Sequence, residues 1–598
     1  MATPSPLLTS GALTTFEIKV EGTAIPSTFQ VYSIDTWLSV NRLPKARLVI
    51  FDGSPATGDF PISNLATFLP GKNVTIAAGY DENQTLIFTG VVVSQGIEIN
   101  QSKSSKLIVD LTDKAMVMTL DRKNAVFANT KDSDLIQTLI SMNGLSGTVS
   151  STTTVYEDIV QYYSTDWDLM VMRAELNGFV VITDGGQITV QAPNTQADPV
   201  LEVEYGDSIL DLEAQMNAAT QYKSTAIKSY AWDEATQAML ESGPGSLSVT
   251  EPGNVSSETL AATFNVSTYT QQTGGMIPST ALQDWSTAEL LKSKLSKIRG
   301  QVRYQGSALA KPGSMIQLAG LGDRFNGSAF VSAIHHSICD GMWSSTATFG
   351  LAWPWFASEA PNIPAPGASG QLPPMQGLQT GIVQQVATDP DGEFRVQVTF
   401  PILGASSTGL WARLSSFYAS NGFGSVFYPE KNDEVIVAFM NDDPRFPIIL
   451  GSVYSKTLPP PYPPDADNNT KAIMTRSKLE VNFDDKNKII KITTPKSRTI
   501  TLDDTAGKIT LSDPDNNTIT MSSSGITIDS GKDLVLKAAA GVTITAGTGL
   551  TMSASTDATL KGLNVSLTAS AELKASGATA AVSGTAETAI SGAIVKIN

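Results

Sequence analysis

Cysteine is nearly absent: Cys339 stands alone. No intrachain disulfide framework exists, so stability must come from packing and assembly. Histidine is confined to His335 and His336, which leaves a Ser-His-Asp triad few options. No G-x-S-x-G elbow occurs. No Walker-type loop occurs either, because Gly531-Lys532 is followed by Asp533. Basic residues are outnumbered, 40 Lys and Arg against 57 Asp and Glu, for a net charge of -17. That balance argues against a nucleic-acid partner, whose affinity rests on Lys and Arg. It also argues against electrostatic docking to anionic lipid. No run reaches the ~18 apolar residues of a membrane span, so no stable membrane insertion is expected. Met1 to Leu13 lacks a basic stretch followed by an apolar core, so no secretory signal is expected.

What the sequence does have is a periodic C-terminal stretch, Arg498 to Asn598. Apolar residues there come in pairs two apart: Ile500 and Leu502, Ile509 and Leu511, Ile519 and Met521, Ile526 and Ile528. The series runs on through Leu534 and Leu536, Val542 and Ile544, Leu550 and Met552, Ala558 and Leu560, Val565 and Leu567. It ends with Leu573 and Ala575, Ala580 and Val582, and Val595 and Ile597. After the first few pairs the step settles at about eight residues, with Gly, Ser, Thr, Asp and Asn between. A pair at i and i+2 is one face of a short strand. Such strands become stable only when stacked rung on rung about an apolar axis. The pattern therefore predicts a β-prism or β-solenoid shaft. Late rungs carry Ala, Ser and Gly (578–592), so the shaft is expected to narrow toward its C-terminus. The period is met equally by a single-chain coil of about three octads per turn and by three interleaved chains. In the latter each octad advances ~4.8 Å, and about a dozen octads reach on the order of 60 Å.

At 598 residues about four domains are expected. Alternation of apolar residues at Phe16, Ile18 and Val20, Val74 and Ile76, Leu86 to Val93, and Leu107 to Leu111 predicts a β-barrel-like domain over 1–130. Its turns fall at Asp52-Gly53, Pro70-Gly71 and Asp81-Glu82-Asn83. Residues 131–200 mix types. Asp132-Ser133-Asp134 reads as the cap of a helix ending at Gly144, and Ser164-Thr165-Asp166 as the cap of a second ending at Asn177-Gly178. A strand from Phe179 to Thr183 and a hairpin turn at Asp184-Gly185-Gly186 follow. A second barrel-like domain is expected over 201–353, with a helix at Ser286–Arg299 and a looped, weakly ordered polar stretch at 231–285. The proline-rich segment 354–376 reads as a stiff linker. Residues 377–455 read as an OB-type barrel with strands at 380–386, 394–400, 410–414, 426–428, 434–439 and 448–453. A second proline-rich linker, 456–470, leads into the shaft, 471–598.

At the small barrel the sequence carries a dense set of features. They are the Asp389-Pro390-Asp391-Gly392 turn, Trp411-Ala412-Arg413, Pro429-Glu430 before Asp433-Glu434-Val435, Asp442-Asp443-Pro444-Arg445 with Pro447, and Gly451-Ser452-Val453-Tyr454. This pattern resembles the VgrG/Rhs-element Vgr family, the spikes of type VI secretion and related contractile injection systems, kin to phage tail hub and spike proteins. Residues 164–186, STDWDLMVMRAELNGFVVITDGG, are similar to the family's hub segment, and FTGVVVSQ (88–95) resembles it more weakly. The resemblance implies a mainly β homotrimer. Two barrel-like hub domains with inserted helices would cap the inner tube and meet baseplate components. An OB-fold collar and a triple-stranded β-helix needle would follow. It implies a PAAR-like tip protein seated on the last rung, at Ile594, Val595, Ile597 and Asn598, and effector cargo. It implies no cofactor, synthesis in the bacterial cytoplasm, and delivery in a particle that punctures a target envelope.

Catalysis finds little support. In some phage relatives a lysozyme domain sits between barrel and needle, but Ser455 to Asn469 leaves no room for one, and no effector domain is expected after Ile597-Asn598. On a strand His335 and Cys339 share a face and His336 points away, so the three do not converge on a metal. Asp442, Asp443 and Arg445 read as a turn with a local ion pair. A polysaccharide-acting β-helix enzyme would need clustered carboxylates or Arg on one solenoid face, and Asp557, Glu572 and Glu587 are isolated. A phage tail hub would have the same fold.

Overall fold

Alternation sets the main sheet. In Lys45–Phe51, Ala46, Leu48 and Ile50 are buried while the residues between face outward, the period of two that a half-buried strand requires. The computed structural model describes residues 3–7, 12–81, 83–101, 104–404 and 408–597. Strands hold 38% of the chain and helices 12%, so the protein is mainly β. It divides into two units, Met1–Val453 and Tyr454–Asn598.

In the first unit a 13-stranded sheet runs in the order Ile209–Met216, Ile298–Gln305, Met342–Phe349, Gly327–Cys339, Val31–Ser39, Lys45–Phe51, Ser105–Thr112, Asn83–Ile99, Asn73–Tyr80, Thr14–Val20 and Thr23–Ala24. Met315–Ala319 branches from Gly327–Cys339 and pairs with Leu201–Glu204. The two regions expected as separate barrels therefore share one sheet. The join is Val31–Ser39 against Gly327–Cys339, from Ala333 opposite Ser39 to Cys339 opposite Ser33. Each of these strands would otherwise present an open edge, and pairing satisfies both. The cores cross the join too: Ile338 and Trp343 pack with the first half's Ile34, Leu48 and Val109, and Leu38 packs against the second half's core. Of the expected turns, Asp52-Gly53 and Pro70-Gly71 fall outside helices and strands; Glu82 lies outside the described residues.

Helices α1 (Asp132–Met142) and α2 (Asp166–Leu176) pack on a small sheet of Val180–Asp184, Gln187–Gln191 and Ser146–Val149. Thr165 caps α2 as expected, its hydroxyl accepting the Asp168 N–H at 3.0 Å. α1 differs: its N-cap residue Lys131 makes no side-chain cap bond, and the Ser133 N–H is accepted by the Thr152 hydroxyl at 3.1 Å. Asp132 instead accepts from Arg173 (2.5 Å) and Asn177 (2.8 Å), tying α1 to the end of α2. The hairpin Val180–Asp184/Gln187–Gln191 turns through Gly185 and Gly186, both at positive φ, a conformation that favours glycine.

Residues 231–285, expected as loop, are structured. Ile227–Asp233 pairs with Ala238–Ser242 and Tyr269–Thr273. α3 (Ser257–Phe264) is capped by Ser256, and α4 spans Ser279–Leu295, starting earlier than expected and giving way to the strand Ile298–Gln305. Polar side chains here face inward. Ser229 bonds Gln271 and Ser286 at 2.8 and 2.7 Å, and Gln271 donates to Glu289 at 3.1 Å. All four are buried, so hydrogen bonds stand where an apolar period would have been read.

Gln379–Gln385, Val396–Thr399, Leu410–Leu414, Pro447–Ser452 and Glu434–Phe439 close into a five-stranded barrel about Val383, Val398, Val437 and Ile449. The expected strand at 426–428 is absent. A short ladder of Ala419–Ser420 with Phe423–Gly424 stands just before it, and Val426 and Phe427 are exposed.

The second unit holds seven five-residue strands, Thr470–Met474, Glu480–Asp484, Ile489–Thr493, Thr499–Asp503, Lys508–Ser512, Thr518–Ser522 and Gly525–Asp529, each antiparallel to the next. Within the single chain this stretch is an up-and-down sheet, not a coil. Short connections, as brief as the two residues between Ser522 and Gly525, reverse the chain at every strand. Beyond 530 no strand occurs among the described residues. The chain instead bends at 531–532, 539–540, 547–548, 555–556 and 563–564, then at steps of seven or eight residues, with extended legs between.

Candidate assembly interface

In each of the seven C-terminal strands the second and fourth residues share one face. Ladder register stacks them into two columns. The first is Ile473, Val481, Ile492, Ile500, Leu511, Ile519, Ile528. The second is Lys471, Phe483, Ile490, Leu502, Ile509, Met521, Ile526. The central residues, among them Thr501, Thr510, Thr520 and Thr527, line the opposite face. One face is thus almost wholly apolar, and among the described residues none buries it. Leu511 is 37% exposed, Leu502 40% and Met521 42%. Among the described residues no side chain after Ile449 is buried. A contiguous apolar face of this kind marks an interaction surface.

The legs beyond 530 are more open still. Leu536 is 69% exposed, and Val542, Ile544, Leu550 and Leu567 are exposed as well. Each apolar pair from Leu534 to Val595 falls in or beside a leg between bends. The legs belong to no ladder among the described residues, so their backbone donors and acceptors have no partner strand in the chain. Of the tip residues, Ile594, Val595 and Ile597 are exposed. Asn598 lies outside the described residues.

The segment 354–376 is stapled down rather than free. Glu289, in the middle of α4, accepts from the indoles of Trp353 (2.9 Å) and Trp355 (2.8 Å). Burial raises its carboxyl pKa, and the two indoles oppose that rise. Lys292 pairs with buried Glu175 and donates to the Pro354 carbonyl at 3.0 Å, while Glu175 accepts the Phe356 N–H at 2.7 Å. Arg122 donates to the carbonyls of Asn362 and Ile363. At the barrel end Arg445 donates to Gln371 at 3.0 Å, and the Met375 N–H to the Asp442 carbonyl at 2.8 Å. The signal in the sequence is Trp353-Pro354-Trp355 shortly after the strand Met342–Phe349, with Glu289 among the apolar residues of a helix.

The motif residues of the barrel are turn staples. Asp389 accepts the N–H groups of Asp391, Glu393 and Arg395 and the Arg395 guanidinium at 2.7 Å. The guanidinium hydrogen bond holds its carboxyl below the usual carboxylate range. Asp443, not Asp442, pairs with Arg445 at 2.7 Å across Pro444. His335 stacks on Trp37 at 5.1 Å and bonds Asp35 at 3.0 Å. His336 is buried on the other face, 2.8 Å from the Ser345 hydroxyl. Burial pushes its pKa down to about 3, with the charges of His335 and Lys311 adding to the effect. Among the described residues no group of three or more His, Cys, Asp or Glu side chains could hold a metal.

Residues 10–340 match the family described as Alg8 N-terminal domain, and residues 379–454 the type VI secretion system/phage-baseplate injector OB domain. The type VI secretion system spike protein VgrG1b of Pseudomonas aeruginosa is 24% identical over 457 residues, 70% of this chain and 58% of the relative. VgrG4b of the same organism, also a type VI spike protein, is 32% identical over 130 residues, 21% of this chain and 15% of the relative. The chain thus spans less than two thirds of the length of either. Among solved structures, the E. coli c3393 protein, described as a component of the type VI secretion system, gives a TM-score of 0.37 at 14% identity, covering 73% of this chain and 100% of that one. The chain belongs to the VgrG family of contractile-injection spike proteins, and the Alg8 N-terminal domain makes up more than half of its length.

Proposed function

We propose that three copies of this chain form the central spike of a contractile injection system. The N-terminal unit serves as the hub that caps the inner tube and meets the baseplate, and its closed barrel forms a collar. The C-terminal unit is the needle, driven through a target envelope when the sheath contracts, with a tip protein on its last rung and effector cargo carried along. The role is mechanical, not catalytic.

The observation that carries this reading is the uncovered two-column face of 470–529. A sheet whose apolar face stays in water forgoes the burial that face could give. Three such sheets facing one axis would bury all three faces. Interleaved legs from three chains would likewise supply the ladder partners that one chain lacks. Sedimentation of the purified protein tests the proposal. A trimer that persists on dilution is the expected result; a monodisperse monomer would refute it.

A further inference from the structure

We infer that the two parts of the C-terminal unit assemble in different ways and in a fixed order: the sheet of 470–529 sets the register of the three chains, and the legs of 530–597 pair only afterwards. This rests on the trimeric reading above.

Two observations carry it. The first is where the hydrogen bonds lie. Every strand of 470–529 is paired within its own chain, so each copy needs only side-chain burial to join its neighbours. Among the described residues the legs have no ladder, so ladder pairing of their backbone needs other copies already in place.

The second is register. The legs repeat at seven or eight residues between near-identical bends, and 578–592 is almost entirely Ala, Ser, Thr and Gly. Slipping one chain by an octad replaces each leg with another much like it, so leg pairing is weakly specified. The sheet is less degenerate. Its connections (475–479, 485–488, 494–498, 504–507, 513–517) alternate regularly and only the last, 523–524, is shorter, so register rests on that final hairpin and on side chains. Its columns also carry single landmarks, Lys471 and Phe483 at one end and Met521 near the other. Only one alignment of three such faces brings Phe483 level with its copies.

Hydrogen exchange on the full chain tests the order, with sedimentation alongside. Two paired variants keep β-forming residues while removing apolar surface: Leu502→Thr with Ile509→Thr in the sheet, and Val542→Thr with Ile544→Thr in the legs. The sheet variant is expected to lose slow exchange in both 470–529 and 530–597. The leg variant is expected to lose it in 530–597 alone. Slow exchange in the barrel, 379–454, should survive in both, showing that the chain folds. A sheet variant that keeps protected legs, or a leg variant that strips protection from the sheet, would overturn the order. A wild-type monomer with unprotected legs would instead sink the trimeric reading on which it rests.

Discussion

Leu511→Ala gives the sharpest energetic test of the assembly interface. Leu511 sits mid-column between Ile500 and Ile519, and in one chain it is 37% exposed. Two outcomes follow from the two states of that face. If the face stays open, solvent fills the space the side chain leaves and no cavity forms. The loss is then part of the transfer energy of about three carbons at ~0.8 kcal/mol each, about 1.5 kcal/mol per chain. If other copies close over the face, the truncation opens a cavity in a packed core and costs about 2–5 kcal/mol per chain. All three copies carry the defect, so the assembled shaft loses about 6–15 kcal/mol. Concentration dependence separates the cases further, because only an associating face has a midpoint that moves with protein concentration. Denaturant titration at several concentrations, read by hydrogen exchange in 470–529, measures both. Thr510→Ala, one residue away on the opposite face, is the control and should cost under ~1 kcal/mol. A Leu511→Ala loss near 1.5 kcal/mol with a concentration-independent midpoint would refute the covered face.

The remaining predictions concern other parts of the chain. His336 is neutral in the folded state, with its pKa depressed to about 3, whereas the unfolded chain titrates near ~6.5. Its contribution to stability is therefore intact above pH ~6.5 and is lost as pH falls from there toward the folded value, by up to ~1.4 kcal/mol per unit. Unfolding at pH 7, 5.5 and 4.5 should show that slope, and His336→Gln should flatten it; an unchanged slope would count against the assignment. Lys292→Met strands the buried Glu175 carboxylate and should cost about 3–5 kcal/mol. Exchange at 355–363 should then speed up, and a neutral result would mean that the 354–376 segment is held elsewhere. Deleting 594–598 should abolish binding of a tip protein while leaving the trimer's sedimentation unchanged; binding that survives the deletion would remove those residues from the tip seat.

Much of this was legible because the relevant side chains follow simple periods. The shaft pairs, from Ile500 and Leu502 to Val595 and Ile597, could be read without any structure, since i and i+2 spacing defines a face whatever covers it. The closed barrel was legible from five of its six expected strands. What period cannot encode is chain direction. The same pairs at similar spacing serve an up-and-down sheet at 470–529 and bent legs beyond 530, and only the connection geometry distinguishes them. Residues 231–285 show no apolar period because polar side chains such as Gln271 turn inward, where Ser229, Ser286 and Glu289 satisfy them, and a pattern of hydrophobicity assigns such residues to solvent. The joined sheet was missed because pairing between residues some 300 apart, such as Asp35 with Ser337, leaves no local mark.

The two units follow different thermodynamics. The first has several cores of fully buried residues, among them Ile34, Leu48, Val302, Phe349 and Val437, so each chain supplies its own apolar core there. The second buries no side chain among the described residues, and the trimeric proposal assigns its stability to association. On the proposed trimeric reading that separation is useful. The net charge of -17 would help keep the folded first unit in solution until other copies are at hand. Stiffness would then come from assembly: a shaft whose backbone bonds and apolar faces are shared among chains could not bend without disturbing every copy at once. The cost is exposure. Before assembly the same faces are unprotected strand surfaces, and the Thr, Asp and Lys residues between the columns, such as Lys491, Thr501 and Thr510, leave the opposite face polar and so limit stacking to one side.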